Sequence, residues 1–227
     1  MKTALYLLPL LAVTVTLLIR AEFRGQRRQI YFLKPISTLL VIAMALFSLL
    51  EPAWNRTYML GVLLGLVFSL GGDIALMFMD NRKAFMLGLA SFLVAHLVYT
   101  LVFTLFGQPS TGDWLSAVLL LASGAFIFRL LQPNLGSMKV PVIVYILVIS
   151  LMVHQAFTTF ASPLFSSGQA WMVAIGALLF YFSDLILALN RFCIPFKYHR
   201  MSLALYFSSQ ALIALAASYF YVIVNMP

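Results

Sequence analysis

Eight apolar stretches, each about as long as a membrane-spanning helix, run through the chain. Crossing a bilayer as a helix takes roughly 20 predominantly apolar residues, because every backbone polar group must be hydrogen-bonded within the segment. The stretches lie near residues 3–19, 30–50, 57–79, 84–106, 114–131, 140–160, 169–189 and 201–224. With 63% hydrophobic and 9% charged residues, the composition excludes a soluble globular domain. We therefore predict an all-α, polytopic membrane bundle of eight transmembrane helices, forming a single integral-membrane domain over residues 1–227.

The basic residues predict how the bundle is oriented. Of the 14 Lys and Arg residues, all but Lys2 and Arg56 lie on or beside the connections that would share one side of the membrane. Basic residues are enriched on the cytoplasmic side, so both termini are predicted to lie outside. The charge bias fits a bacterial inner (plasma) membrane, which we predict, and also a membrane like that of the endoplasmic reticulum. No small-x-small cleavage site precedes Arg20, and we expect the first span to be retained. The net charge of +8 suits contacts with anionic membrane lipids; no nucleic-acid partner is expected, because there is no contiguous basic domain.

Two aspartates interrupt the apolar runs. Asp73 lies in the third stretch and Asp184 in the seventh, each seven residues from the basic boundary of its span. At 1.5 Å per residue, both lie roughly 10 Å inside that boundary. A carboxylate inside a membrane span costs about 2.5 kcal/mol or more on insertion scales, and it therefore indicates a functional site.

The surroundings of the two aspartates resemble each other. Gly65 precedes Asp73 by eight residues and Gly176 precedes Asp184 by the same number. The second and sixth spans both open with a basic residue and a proline. These similarities suggest two four-helix halves of like orientation, a 4+4 parallel repeat.

Depth along the spans brings further polar side chains to the same layer. Lys34, Tyr145 and Gln210 lie about four, six and nine residues into the second, sixth and eighth spans. Charged groups inside a membrane face the bundle interior or a wet cavity and pair there, so we expect Lys34 to contact a carboxylate. Two carboxylates in one low-dielectric pocket cannot both ionise cheaply, so the other should retain its proton.

Helical spacing predicts which faces turn inward. Small residues recur along the third span and form a close-packing seam beside Asp73: Gly61, Gly65, Ser69 and Gly72. The fourth span carries four residues on one face: Gly88, Phe92, His96 and Tyr99. His96 is roughly 18 Å from the basic boundary, deeper than the carboxylates. It could equally be a buried histidine bonded to a neighbour.

Other site chemistries fit the residues poorly. The histidines His96, His154 and His199 are not expected to converge and Cys193 stands alone, so we predict no metal site and no cofactor. No Gly-x-Ser-x-Gly elbow occurs, and Ser183 is expected either to pack in the bundle or to bond the carboxylate of Asp184. Acid–base chemistry, a proton-coupled carrier and a structural role for the aspartates remain open.

Taken in chain order, these pieces resemble the YhhN/lysoplasmalogenase family. The resemblance rests on Lys34-Pro35, Gly72-Asp73-Ile74, Gly88-x3-Phe92-x3-His96-x2-Tyr99, Tyr145 to Met152, Gly176-Ala177-x2-Phe180-x2-Ser183-Asp184, Arg191-Phe192 and Tyr206-x3-Gln210. It covers nearly the whole chain. It implies an eight-span hydrolase that cleaves the vinyl ether bond of lysoplasmalogens to a fatty aldehyde and glycerophospho-choline or -ethanolamine.

The resemblance also implies roles for individual residues. Asp73 and Asp184 carry over as catalytic. The substrate-binding candidates, for a lyso-phospholipid, are Lys34, Tyr145, His96, Gln210, Ser183 and Tyr99. The chemistry agrees, because a protonated acid can protonate the vinyl carbon while an ionised one stabilises the cation and activates water, as in glycosidases. The alternative is a proton-coupled lipid or small-molecule transporter that uses the aspartates as a relay.

Overall fold

The described part of the computed structural model covers residues 3–50, 55–193, 195–196 and 199–218, and it is helical with no strand. Its helices are α1 Leu8–Phe23, α2 Arg27–Leu46, α3 Arg56–Leu76, α4 Arg82–Phe106, α5 Asp113–Leu131, α6 Lys139–Thr158, α7 Ser167–Phe192 and α8 Ser202–Ser218. Short 3₁₀ turns extend α1 at its start (Thr3–Leu7) and α2 at its end (Phe47–Leu50).

Counted together with the 3₁₀ turns that extend them, the eight helices of the described residues are long and apolar enough to cross a membrane. The prediction of an all-α bundle with eight spans is therefore confirmed, and the bounds agree with the predicted stretches to within a few residues wherever the chain is described. The predicted end of the last span near residue 224 and the charged positions Lys2 and Lys197 lie outside the described residues.

Polar side chains cap three helices at breaks between the apolar stretches. The side chain of Asn55 accepts a hydrogen bond from the backbone N–H of Tyr58 at the start of α3, and Asn81 caps α4 in the same way. Ser166 and Gln169 form a reciprocal capping box at the start of α7. These caps pair with backbone N–H groups in the first turn of each helix, which have no partner within the helix. The three helices therefore begin at the polar breaks between the apolar stretches.

Each close helix pair has a counterpart in the other half of the chain. α3 packs along α4 as α7 packs along α8, and α1 packs on α2 as α5 packs on α6. α2 meets α8 as α6 meets α4. These are the pairs that a 4+4 repeat requires, although the repeat itself stays a prediction. The arrangement puts the two helices with the aspartates, α3 and α7, in equivalent positions.

The small-residue seam on α3 faces α4, as predicted. A Cβ added at Gly65 would run into the Tyr99 ring, and one added at Gly72 would run into the Phe92 ring. Small residues at such positions let two helix backbones approach closely. Asp73 directly follows the last glycine of the seam, so the close α3–α4 contact holds this carboxyl group in the bundle interior.

The eight helices differ in how deeply they are buried. α8 is central: most of its described residues, including Tyr206 and Gln210, are buried. α5 is peripheral, with Gly124, Ile127 and Leu131 as its only buried residues. It packs mainly on α6, and this sparse packing leaves apolar space on two sides of it.

Candidate active site

Asp73 lies in a fully buried pocket of hydrogen-bond donors contributed by two other helices. Its Oδ1 is 3.4 Å from Nζ of Lys34 on α2. Its Oδ2 accepts hydrogen bonds from Thr38 on α2 at 2.7 Å and from Tyr206 on α8 at 2.6 Å. The predicted contact between Lys34 and a carboxylate is thus confirmed. An ammonium group and two hydroxyl donors favour the ionised form of a carboxyl group.

Asp184 has a different set of neighbours. Its Oδ2 accepts a hydrogen bond from Tyr145 on α6 at 2.5 Å and lies 3.3 Å from Nε2 of His96 on α4. The Tyr145 hydroxyl is in turn 3.0 Å from Nε2 of His96, so the three side chains form one cluster. The described residues provide no hydrogen-bond partner for Nδ1 of His96. A neutral ring that carries its proton on Nε2 fits this arrangement, because a buried N–H without an acceptor is costlier than a bare nitrogen.

His96 reaches Asp184 although residue counting places it deeper in the membrane. Side chains in a helix lean toward its N-terminus. α4 begins at the basic end of the bundle with Arg82, so His96 leans toward that end. α7 reaches the basic end at its C-terminus, so Asp184 leans away from it. The two side chains therefore lean toward each other, which compensates for the difference in depth between the His96 and Asp184 backbones.

Both aspartates line one cavity, which we call the polar cavity. It has a volume of about 300 Å³ and is bounded by residues of α1, α2, α3, α4, α7 and α8, with Lys34 and Tyr206 among its lining residues. Asp73 is almost completely buried, whereas the Asp184 side chain is 15% exposed. The expectation that the two acids share a partly polar chamber agrees with this geometry.

Ion pairs surround the mouth of the polar cavity at the basic end of the bundle. Arg200 lies 3.0 Å from Glu22, and Arg27 lies 3.3 Å from Asp80. His199 also lines this mouth, with Nδ1 bonded to a backbone carbonyl. Arginines placed here can bind an anionic headgroup, because a guanidinium matches the geometry of a phosphate.

A second, apolar cavity adjoins the polar one. This apolar chamber has a volume of about 70 Å³ and lies between α4, α5, α6 and α7. Four residues line both spaces: Leu76, Phe92, Asp184 and Leu187. Asp184 therefore lies at the boundary between a polar and an apolar compartment, whereas Asp73 lines the polar cavity alone.

Two sequence candidates, Tyr99 and Gln210, form hydrogen bonds with each other and not with an aspartate. The Tyr99 hydroxyl donates to Oε1 of Gln210 at 2.9 Å, and Nε2 of Gln210 donates to Ser69 at 2.9 Å. Neither residue lines the polar cavity. Gln210 lies one helical turn beyond Tyr206. Its hydrogen bonds therefore help to fix the part of α8 that carries Tyr206, the donor to Asp73.

Ser183 lines the polar cavity, but it does not bond the neighbouring carboxyl group. Its hydroxyl donates to the backbone carbonyl of Ser202 at 3.0 Å. Adjacent residues on a helix point in different directions, so Ser183 faces α8 while Asp184 faces α4 and α6. Of the two expectations for this serine, packing is confirmed and a bond to the carboxylate is wrong.

Sequence reasoning missed several residues of the site. Thr38 donates to Asp73, and Arg200 and Glu22 pair at the mouth. Tyr206 also donates to Asp73; it belongs to a motif of the family resemblance but was not predicted as a site residue. A signal existed for Thr38, which follows Lys34 by one helical turn and so shares its face. Residues at the mouth come from helix ends that are distant in sequence, and no local pattern marks them.

The fold and the site define an integral-membrane helix bundle. Its polar cavity contains two aspartates and has its mouth at the basic end of the bundle. The chain matches the model of the YhhN family over residues 29–217. It is 34% identical to lysoplasmalogenase TMEM86A of Bos taurus over 178 residues, which is 75% of this chain and 68% of that protein. It is 31% identical to lysoplasmalogenase TMEM86B of Homo sapiens over 153 residues, 67% of this chain and 61% of that protein.

The chain therefore belongs to the YhhN family, as the resemblance of its motifs indicated. No solved structure matches it at a significant level.

Proposed function

We propose that the protein is a membrane-embedded hydrolase that cleaves the vinyl ether bond of a lysoplasmalogen or a closely related lyso-lipid. The products are a fatty aldehyde and a glycerophospho-choline or -ethanolamine. The observation that carries the proposal is the position of Asp184 at the boundary of the polar cavity and the apolar chamber, with Asp73 in the polar cavity. The similarity to lysoplasmalogenases supports the choice of substrate.

The two compartments match the two ends of such a substrate. The phosphate and glycerol would occupy the polar cavity, where Lys34 and Arg200 can neutralise the phosphate. The hydrocarbon chain would enter the apolar chamber. The vinyl carbon on the chain side then lies beside Asp184, and the carbon bonded to oxygen lies on the side of Asp73. The basic residues around the mouth support an opening toward the cytoplasm, in a bacterial plasma membrane.

The environments of the two aspartates suggest separate roles. We assign the ionised role to Asp73, because Lys34 and two hydroxyl donors contact its carboxyl group. Among the described residues, no lysine or arginine forms an ion pair with Asp184, and Tyr145 and His96 both contact its Oδ2. Its Oδ1 can therefore carry the proton that the reaction needs, and the two donors on Oδ2 stabilise the carboxylate left behind.

The reaction begins when Asp184 transfers its proton to the vinyl carbon farther from the ether oxygen, which gives an oxocarbenium ion. The Asp73 carboxylate stabilises this cation and takes a proton from the water that adds to it, leaving a hemiacetal. The hemiacetal then returns its hydroxyl proton to Asp184 as the aldehyde forms. The glycerol oxygen takes the proton from Asp73, so both acids end in their starting states and one water is consumed.

An aldehyde-coupled assay with the purified protein tests this function. We expect release of aldehyde from a lysoplasmalogen, and none from the corresponding saturated alkyl ether lysolipid, which has no vinyl carbon to protonate. Asp73→Asn and Asp184→Asn should abolish release while the protein still folds, whereas Asp113→Asn, at the opposite end of the bundle, serves as the control. Lipid flux across a liposome membrane without cleavage would contradict the hydrolase and favour a carrier.

A further inference from the structure

The apolar chamber beside Asp184 is too small for a whole fatty chain. Its volume is about 70 Å³. An apolar protein cavity of roughly 150 Å³ takes a single benzene molecule, so this chamber accommodates only the first few carbons beyond the vinyl group. The rest of a long chain must continue somewhere else in the apolar part of the protein or at its surface.

A larger apolar groove lies directly beyond the chamber, between α5 and α6. This α5–α6 groove has a volume of about 610 Å³, and Phe128, Leu147 and Leu151 are among the residues that line it. Ile146 lines both the chamber and the groove. Its side chain is therefore the partition between the two spaces.

A glycine faces this partition. A Cβ added at Gly124 on α5 would lie 2.9 Å from Cγ2 of Ile146 on α6. The absence of a side chain at Gly124 thus leaves room for the isoleucine side chain between α5 and α6. α5 is otherwise sparsely buried, and Ile146 is the one described residue that lines both the chamber and the groove.

The other apolar grooves of the described residues are not connected to the site. The groove between α1 and α8, lined by Val15 and Leu212, shares no residue with the polar cavity or the apolar chamber. The groove between α3 and α4, lined by Ile74 and Leu87, shares none either. Among these three grooves, the α5–α6 groove alone shares a lining residue, Ile146, with the candidate active site.

The direction of the α5–α6 groove also fits a membrane lipid. Ile146 is seven residues into α6, close to the depth of Asp184 below the basic end. The groove continues to His154, eight residues further and roughly 12 Å deeper at 1.5 Å per residue. A chain that passes Ile146 therefore runs from the headgroup region toward the bilayer centre, as the chain of a lipid in that leaflet does.

We propose that the α5–α6 groove binds the distal hydrocarbon chain of the substrate and releases the fatty aldehyde sideways into the bilayer. This inference rests on the proposed function, which supplies the lyso-lipid. Ile146 is then a specificity-determining residue that every long chain must pass. The glycerophospho product leaves separately through the mouth of the polar cavity.

Chain-length dependence gives the first test. We compare kcat/KM for a hexadecenyl and a butenyl lysoplasmalogen, since only the longer chain must pass Ile146. Ile146→Trp should lower the long-to-short ratio about tenfold, because the longer chain loses its contacts with the groove. Leu119→Trp is the matched control: Leu119 is an exposed residue of α5 that lines neither the chamber nor the groove, so the ratio should stay as in the wild type.

Photo-crosslinking of the wild-type protein gives a second test that needs neither turnover nor a variant. The probe is a saturated hexadecyl ether lysolipid with a diazirine at the end of its chain. We expect labels on Leu147 and Leu151 that excess lysoplasmalogen removes, which separates specific binding from general contact with membrane lipid. Competed labels in the α1–α8 groove instead would overturn the proposal.

The outcomes distinguish a failure of the proposed route for the hydrocarbon chain from a failure of the proposed function. A protein that cleaves both substrates with an unchanged ratio in Ile146→Trp overturns the route and keeps the hydrolase. A protein that cleaves neither substrate but shows the competed label in the α5–α6 groove overturns the proposed function and keeps the binding route.

Discussion

The hydroxyl of Tyr145 donates a hydrogen bond of 2.5 Å to Oδ2 of Asp184, the same oxygen that lies 3.3 Å from Nε2 of His96. Both partners are on one side of the carboxyl group. Its other oxygen has no hydrogen-bond partner among the described residues, and the side chain lines both cavities. The cluster thus orients Asp184 and leaves one oxygen for a reacting group.

Removal of this hydroxyl should affect chemistry more than folding. Tyr145→Phe keeps the ring and its contact with His96 but loses the donor to Asp184, so we expect kcat to fall by roughly 10- to 100-fold. Steady-state kinetics of aldehyde release, together with a thermal unfolding curve, measure both effects. Tyr58→Phe is the control, because it removes a buried hydroxyl that contacts neither aspartate. Equal losses in the two variants would contradict a specific role for Tyr145.

Substitutions of Lys34 and Asp73 should have non-additive effects on the free energy of unfolding. Lys34→Met leaves a buried carboxylate without its cation, and we expect a loss of about 3 kcal/mol in unfolding free energy. Adding Asp73→Asn to that variant removes the unpaired charge and should recover much of the stability, but no activity. A double-mutant cycle by denaturant unfolding in detergent measures the coupling. Additive losses would show that the pair is not linked as the geometry indicates.

Isotope labelling reports which atoms react. In heavy water, proton transfer from Asp184 to carbon should place one deuterium on the carbon next to the aldehyde group. In water labelled with heavy oxygen, the glycerophospho product should carry no label, because its own bond between carbon and oxygen is not broken. Mass spectrometry after immediate reduction of the aldehyde detects both. Heavy oxygen in the glycerophospho product would contradict protonation of the vinyl group followed by attack on the oxocarbenium ion.

Arg200 at the mouth of the polar cavity should contribute to substrate binding. Arg200→Gln removes a cation that can bind the phosphate, so we expect KM to rise about tenfold with little change in kcat. Arg129→Gln is the matched control at the same end of the bundle, since Arg129 lines none of the described cavities. A fall in kcat at constant KM would instead place Arg200 in the chemical step.

The helices and the depth of the acids could be predicted because both depend on local sequence. A run of apolar residues must form a helix in a membrane, and the rise per residue converts a position such as Asp73 or Asp184 into a depth. A contact between Lys34 and one of the two carboxylates followed from depth and from the cost of an unpaired charge in the membrane, but the choice of Asp73 did not. Lysine has few acceptors at that level, and Asp73 is one of them.

The division of partners between the two acids could not be predicted. Depth alone allows Tyr145 or Gln210 to reach either carboxyl group, yet Tyr145 bonds Asp184 and Gln210 bonds Tyr99 and Ser69. The apolar chamber, which depends on four helices, has no local signature either.

The sequence by itself therefore determined the class of protein, the eight helices and the two acids at equal depth, because hydropathy and helical rise act within one segment. The tertiary structure decided which acid adjoins the apolar chamber and which contacts a lysine. That choice depends on which helices become neighbours, and close packing between residues far apart in the chain, such as Gly72 with Phe92 and Gly124 with Ile146, sets those neighbours.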